Sequence, residues 1–247
     1  IVGVVLVILL SVFYFYQLKK IAKRNSDRLA KQKNETDRLD SELKALRSQM
    51  NPHFIFNSLN SIQDLILQQD TDASYDYIVL FADLVRSTLN YSNKDFIPID
   101  KELEFLDVYL SLEKLRFEDD FSYEISYIGD KGINVPSLIV QPFIENALVH
   151  GLLHKRGKKN LKIVFEYTDE LTCTITDNGV GRARAKEIQK RQGNHHESFA
   201  LEAINKRLSI LKEQYGENVG YVIYDLFSED LSAGTKVVIR MPFVAQY

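Results

Sequence analysis

The sequence predicts an α+β chain: an N-terminal transmembrane helix and connecting helix, a dimeric bundle of two helices per chain, and an α/β sandwich at the end. Three observations carry this reading. Ile1 to Tyr16 contains no charged residue, apolar residues then recur at helical spacing as far as Tyr91, and from Phe121 onward the pattern changes to strict alternation. Composition agrees with folded domains, since 45% of the 247 residues are hydrophobic and 26% charged, with 11 glycines and 5 prolines. The 31 Lys and Arg against 34 Asp and Glu leave a formal charge of −3, so no overall basic field exists and general nucleic-acid binding is excluded. The single cysteine, Cys173, can neither close a disulfide within the chain nor build a Cys-rich zinc site.

Residues 1–18 are expected to be the transmembrane helix. Sixteen uncharged residues at about 1.5 Å each give roughly 24 Å, a little under the roughly 30 Å hydrocarbon core. The first residue is Ile, so the chain is read as the tail of a longer protein, cut inside or just before this helix. Lys19, Lys20, Lys23 and Arg24 follow the apolar run directly, and Tyr14 and Tyr16 sit where an interfacial aromatic belt would. The positive-inside rule then puts the chain beyond residue 18 in the cytoplasm. A signal peptide would reverse that order of charge and apolar run.

Residues 19–47 read as a juxtamembrane helix. Leu39, Leu43, Leu46 and Met50 have the 4-3-4 spacing of a coiled-coil seam, although the register is weak further upstream and a solvated connecting helix fits as well. Pro52 removes a backbone donor and should bend the helix near Ser48. Residues 48–94 are then two amphipathic helices. At 100° per residue Ile55, Leu59, Ile62 and Ile66 share one side of the first, and His53, Asn57, Asn60 and Asp64 lie opposite. Tyr77, Phe81, Leu84, Thr88 and Tyr91 mark the second, after a polar turn around Gln68 to Asp72. Two helices cannot bury both faces alone, so a homodimeric four-helix bundle is expected.

Asn93 to Ile99 reads as a linker, and residues 100–247 as the sandwich domain. Asp100 caps a helix through about Glu118; strands are expected over 121–127, 161–167 and 171–177, and later over 221–227 and 235–241. Helices are expected at Ser137 to His150 and Phe199 to Tyr215, covering one face of a mixed sheet.

Two places in this domain carry chemistry. Asp177 shares parity with Leu171, Cys173 and Ile175, which puts a carboxylate at the buried end of an inward-facing row, just before Asn178-Gly179-Val180-Gly181. A buried carboxylate needs donors, and the glycines let backbone approach a ligand closely, which suits an exocyclic amino group such as that of adenine. By itself the short string fits an ordinary Asp-Asn-Gly turn equally well. The helix ending at His150 is apolar nearly all round yet carries Gln141, Glu145, Asn146 and His150. Asn146 and His150 share one face, Gln141 and Glu145 another, and a nucleotide with its magnesium ion would satisfy them.

Five segments together resemble the LytS-type sensor histidine kinases, which combine a phosphoacceptor helix pair with an ATP-binding domain of the GHKL superfamily. They are Gln49 to Asn57 around His53, Tyr109 to Phe117 with Arg116-Phe117, Pro136 to Gly151 ending Glu-Asn-Ala-Leu-Val-His-Gly, Asp177 to Gly181, and Gly234-Thr235. The resemblance runs from about Arg47 to Phe243. It implies that His53 accepts the γ-phosphoryl group of ATP, that Asn146 coordinates Mg²⁺, that Asp177 takes the adenine amino group, and that Gly179 and Gly181 begin the loop over the nucleotide. His150 and Thr235 would complete the ATP site, and a response-regulator aspartate would receive the phosphoryl group. Phe54 follows His53 where commoner histidine kinases have an acidic residue, so Asn57 is the candidate orienter of the imidazole and Glu145 an alternative base. The family's Gly-x-Gly-Leu-x-Asn lid run aligns with Ser198 to Ala203, where both glycines and the Asn are replaced. Backbone amides near Ser198, and charge from Lys186, Lys190, Arg191 and Arg207, remain candidates for the phosphates. A nucleotide-binding membrane scaffold without autokinase activity is the alternative reading.

Overall fold

The computed structural model describes residues 19–20, 23–24, 33, 52–117, 120–130, 132–191, 199–216, 218–228 and 231–245. The chain divides into two units, Ile1–Arg47 and Ser48–Tyr247. The expected transmembrane helix over 1–18, the Leu39 to Met50 seam and the bend near Ser48 all lie outside the described residues. Among the described residues no helix is long and apolar enough to cross a membrane.

The second unit opens with α1 (Pro52–Leu67) and α2 (Thr71–Ser92). Pro52 is the first residue of α1, where its missing N–H goes unused. Asp70 caps α2, its carboxylate accepting the Ala73 N–H at 3.1 Å, so the polar turn ends where the next helix needs an acceptor. Tyr77, Leu84 and Thr88 are buried on α2, as their spacing predicts.

The α1 stripe expected to meet a second copy is largely open within the single chain. Phe54 and Ser58 are the buried positions, with Ile62 and Leu65 partly buried beside them, while Leu59 and Ile66 remain 49% and 58% exposed. Phe54 packs against Tyr109, with ring centroids 5.1 Å apart, which places it on the side of α1 that faces this chain's own core.

The expected linker contains a short strand, β1 (Phe96–Pro98), in a three-stranded antiparallel sheet of order β1-β3-β8 with β3 (Ile133–Pro136) and β8 (Val244–Ala245). Pro98 is tolerated because β1 is an edge strand. α3 (Ile99–Phe117) follows, and its buried stripe of Phe105, Leu106, Tyr109 and Leu112 also includes Glu102 and Glu113.

The main sheet has order β2-β4-β5-β7-β6, from β2 (Phe121–Ile128), β4 (Lys159–Tyr167), β5 (Leu171–Asp177), β6 (Gly220–Ser228) and β7 (Leu231–Met241). β2 runs parallel to β4 and the other pairs are antiparallel, which makes the sheet mixed as expected. Leu161, Ile163 and Phe165 line up with Cys173, Ile175, Val237 and Ile239 on the buried face. Two further helices are α5 (Gly181–Arg191), which the sequence pattern did not announce, and α6 (Phe199–Tyr215), which has the expected limits.

The helix expected from Ser137 to His150 is different in form. Ser137 to Val140 is a turn, α4 covers only Gln141–Asn146, and a π-helical turn runs from Ala147 to Leu152. Glu102 explains the start. Its Oε2 accepts the Leu138 N–H at 3.0 Å, and Leu138 has φ +52, so these amides point at a side chain rather than along a helix. Leu153 N–H donates to the Leu148 carbonyl at 2.8 Å, five residues back, which is the π pattern.

Glu102 is wholly buried, and burial raises its carboxyl from 4.5 to about 7, opposed by the Leu138 N–H, the Arg207 charge and the Val140 N–H. A raised acid binds its proton more tightly folded than unfolded. Its stabilising contribution is therefore complete below pH 4.5 and lost as pH rises through about 7, amounting to about 3 kcal/mol. The ligand-free chain should accordingly melt lower at pH 8 than at pH 5.5, and Glu102→Gln should flatten that dependence; calorimetry across the window checks both.

Candidate nucleotide and phosphoacceptor site

The site is built where β5 ends. Its register with β7 sets Asp177 opposite Thr235, and alternation with Cys173 and Ile175 turns the carboxylate inward, where the residue is 4% exposed. The chain then reverses on itself: the Gly179 N–H donates to Asp177 Oδ1 at 2.8 Å, and Thr235 supplies both its N–H and its hydroxyl. Lys155 donates to the Asn178 carbonyl at 2.5 Å. Asn178 is tied to the neighbouring strand, its Oδ1 accepting the Asn160 N–H at 2.8 Å and its amide donating to the Lys158 carbonyl at 3.2 Å.

Two glycines, Gly179 and Gly234, are obligatory here for lack of room, and a third, Gly151, is tightly fitted. A Cβ on Gly179 would stand 2.5 Å from the Gly151 carbonyl carbon, and one on Gly151 would stand 3.0 Å from Asp177 Oδ1. One on Gly234, whose φ is +130, would meet the Asp177 carbonyl oxygen at 2.0 Å. The Val180 N–H donates to the Gly151 carbonyl at 3.2 Å, so the π-helical turn and the Asp177 turn are locked together. Gly181, at φ +75, starts α5.

Glu145 accepts from Gln141 Nε2 at 2.9 Å, as their spacing implies. Asn146 is the last residue of α4 and half-buried, and His150, four residues on, lies in the π turn and is exposed. Desolvation first, and the neighbouring His154 second, hold the His150 ring below its ordinary value. Arg207 Nη2 donates to Ser137 Oγ at 3.2 Å, and Glu102 and Asp95 supply the charges around it. Ser198, His195 and His196 lie outside the described residues, as does the side chain of His53, although His53 itself is in the first turn of α1.

The donor set fits a nucleotide with Mg²⁺. Asp177 is a buried acceptor whose backbone neighbours are too tight for any Cβ, and the Asn146 amide offers a hard oxygen of the kind Mg²⁺ accepts.

A family model described as histidine kinase matches residues 41–121. Over 212 residues the chain is 31% identical to the sensor protein LytS of Staphylococcus haemolyticus, an alignment covering 82% of this chain and 34% of that protein. The chain belongs to the LytS-type sensor histidine kinases. The sensor histidine kinase YpdA of Escherichia coli is 31% identical over 207 residues, with 82% of this chain and 34% of that protein covered. The chain thus spans about a third of the length of these relatives. Among solved structures, the histidine kinase domain of a blue-light activated histidine kinase from Erythrobacter litoralis aligns with 83% of this chain and 95% of that one, at 13% identity and a TM-score of 0.43.

Sequence reasoning missed Lys155 and Glu102. A loop lysine carries no periodic signal, but Glu102 carried one: it stands four residues before Leu106 and seven before Tyr109, in phase with an apolar stripe.

Within this kinase-family site, Asp177 has its carboxyl raised from 3.8 to about 6. Desolvation is the largest cause, opposed by the Gly179 and Thr235 N–H groups, the Lys155 charge and the Thr235 hydroxyl. Only the ionised form accepts an amino group with both oxygens. ATP affinity measured by calorimetry should therefore fall severalfold as pH drops from 7.5 through about 6, while Asp177→Asn binds more weakly throughout and loses that slope.

Proposed function

We propose that this chain is the kinase portion of a bacterial membrane sensor, transferring the γ-phosphoryl group of ATP to His53 and then to an aspartate of a separate response regulator. The observation that supports this most is the stacking of Phe54, the residue after His53, on Tyr109 of α3. It draws the acceptor-bearing helix onto the domain that carries Asp177 and Asn146. Burial raises the Tyr109 hydroxyl well above its ordinary value, and the charges that act on it are Glu145 of α4, then Glu113 and Arg116 of α3.

An imidazole nitrogen of His53 attacks the γ-phosphorus in line with the bridging oxygen. The N–P bond forms as the bridging P–O bond breaks, ADP leaves with the electron pair, and the ring proton passes to a base. Glu145 is the candidate base, and Asn57, one helical turn beyond His53, the candidate orienter. Asp177 orients the adenine. Gly179, Gly181, Thr235, His150 and the segment at Ser198 complete the ATP site. Mg²⁺, held through the Asn146 amide oxygen, would neutralise charge on the phosphates. The reaction asks the protein chiefly for positioning and charge neutralisation.

Membrane anchoring through residues 1–18 and homodimerisation belong to the same reading. Leu59 and Ile66 of α1, with Phe56 at 67% exposure, form an apolar face that a second copy would cover.

Two outcomes test the reading. With γ-labelled ATP the chain should acquire acid-labile, base-stable phosphate that His53→Gln abolishes while its ATP affinity stays within about twofold; an unlabelled wild-type chain would favour the scaffold alternative. In light scattering the detergent-solubilised chain should be dimeric and Leu59→Asp largely monomeric at equal concentration. A monomeric wild type at high micromolar concentration would refute the dimer.

A further inference from the structure

A polar cluster joins three parts of the molecule that the ATP site does not use directly. The exit of the helix pair reaches it through backbone: the Lys94 carbonyl accepts the Ser137 hydroxyl, and the Asp95 carbonyl accepts the Ser137 N–H at 3.1 Å. The next residue, Leu138, at φ +52, gives its N–H to Glu102 on α3. From the third side, Arg207 on α6 donates to the same Ser137 hydroxyl at 3.2 Å. Ser137 is 2% exposed and Glu102 fully buried, so none of this is a solvated surface contact.

Among the described residues Glu102 Oε1 is buried with no hydrogen-bond partner. Such a carboxylate is costly, and the Leu138 N–H, the charge of Arg207 and the Val140 N–H together offset the cost. The cluster therefore holds only while α6, α3 and the 137–140 turn keep one arrangement. Four residues after Ser137, that turn starts α4 with Glu145 and Asn146. The first turn of α6 lies in the Ser198 to Ala203 run that aligns with the family's lid, and Arg207 follows it on the same helix.

We infer that Arg207, Ser137 and Glu102 form a clasp that sets the acceptor helix pair against the ATP-holding elements, and that Arg207 and Ser137 are positioning residues for phosphoryl transfer rather than nucleotide ligands. The inference rests on the kinase reading above. Ser137 carries the geometry: one hydroxyl donates to the carbonyl at the end of the helix pair and accepts from Arg207 on α6. Loss of Arg207 frees that hydroxyl and leaves the Glu102 charge less compensated, which loosens the joint without touching the Asp177 turn.

The experiment measures ATP affinity by calorimetry and autophosphorylation rate against ATP concentration, on the full chain. Arg207→Gln should lower the rate at saturating ATP at least tenfold, with KM and ATP affinity within twofold of wild type. Arg207→Lys, which keeps a charge beside Glu102, should recover part of that rate. Ser137→Ala, which removes a single hydroxyl and keeps the fold, should lower the saturated rate at least threefold with the same unchanged KM. A tenfold or greater loss of ATP affinity in Arg207→Gln would make Arg207 a nucleotide ligand and overturn the inference. So would a saturated rate within twofold of wild type in Ser137→Ala. An unlabelled wild-type chain with normal ATP affinity would overturn the kinase reading itself, and this inference with it.

Discussion

The site depends on one buried carboxylate. Asp177 ends an inward-facing row, and its charge survives there only because the Gly179 N–H, both Thr235 donors and the Lys155 ammonium surround it. That requirement fixes much else. Thr235 can face Asp177 only in the observed register of β5 with β7, and a slip of one residue would move the carboxylate to the other face of the sheet. Gly234 must then pass over the Asp177 carbonyl, and Gly151 must lie against the carboxylate itself. The donors that hold the charge also crowd the backbone, so an acceptor that could serve an adenine amino group and a cradle without side chains arise from the same packing.

Parity and phase made the sheet legible. Leu171, Cys173, Ile175 and Asp177 lie on the buried face as alternation demands, and α6 has the expected limits because its apolar spacing is sustained over seventeen residues. The failures share a physical cause: the partner that decided the local structure is distant in sequence. Ser137 to Val140 has helical apolar content, but its Leu138 N–H is claimed by Glu102, 36 residues earlier. β1 is three residues long and exists only because Ile133 to Pro136 pairs with it, so no internal pattern could announce it. Within the site, Asp177 and Gly179 were readable from the turn they form, whereas Lys155 was not, its role depending on one carbonyl 23 residues away.

The open stripe bears on how α1 can serve two partners. Counting about 100° per residue, Phe54, Ser58, Ile62 and Leu65 fall within one sector of about 80°, and Ile55, Leu59 and Ile66 within an adjoining one. The first sector faces this chain's own core, and Leu59 and Ile66 of the second are left open. Had the helix buried the expected stripe against its own domain, no apolar surface would remain for a second copy. Because Phe54 takes the inward position, one short helix can lie against the ATP-holding domain and still present an apolar flank. Those two surfaces adjoin, so a rotation that deepens one contact exposes part of the other. Glu102, Ser137 and Arg207 sit at the far end of the helix pair, where the exit backbone is gripped, so the pair is held to the sandwich at both ends, by Phe54 at one and by Ser137 at the other.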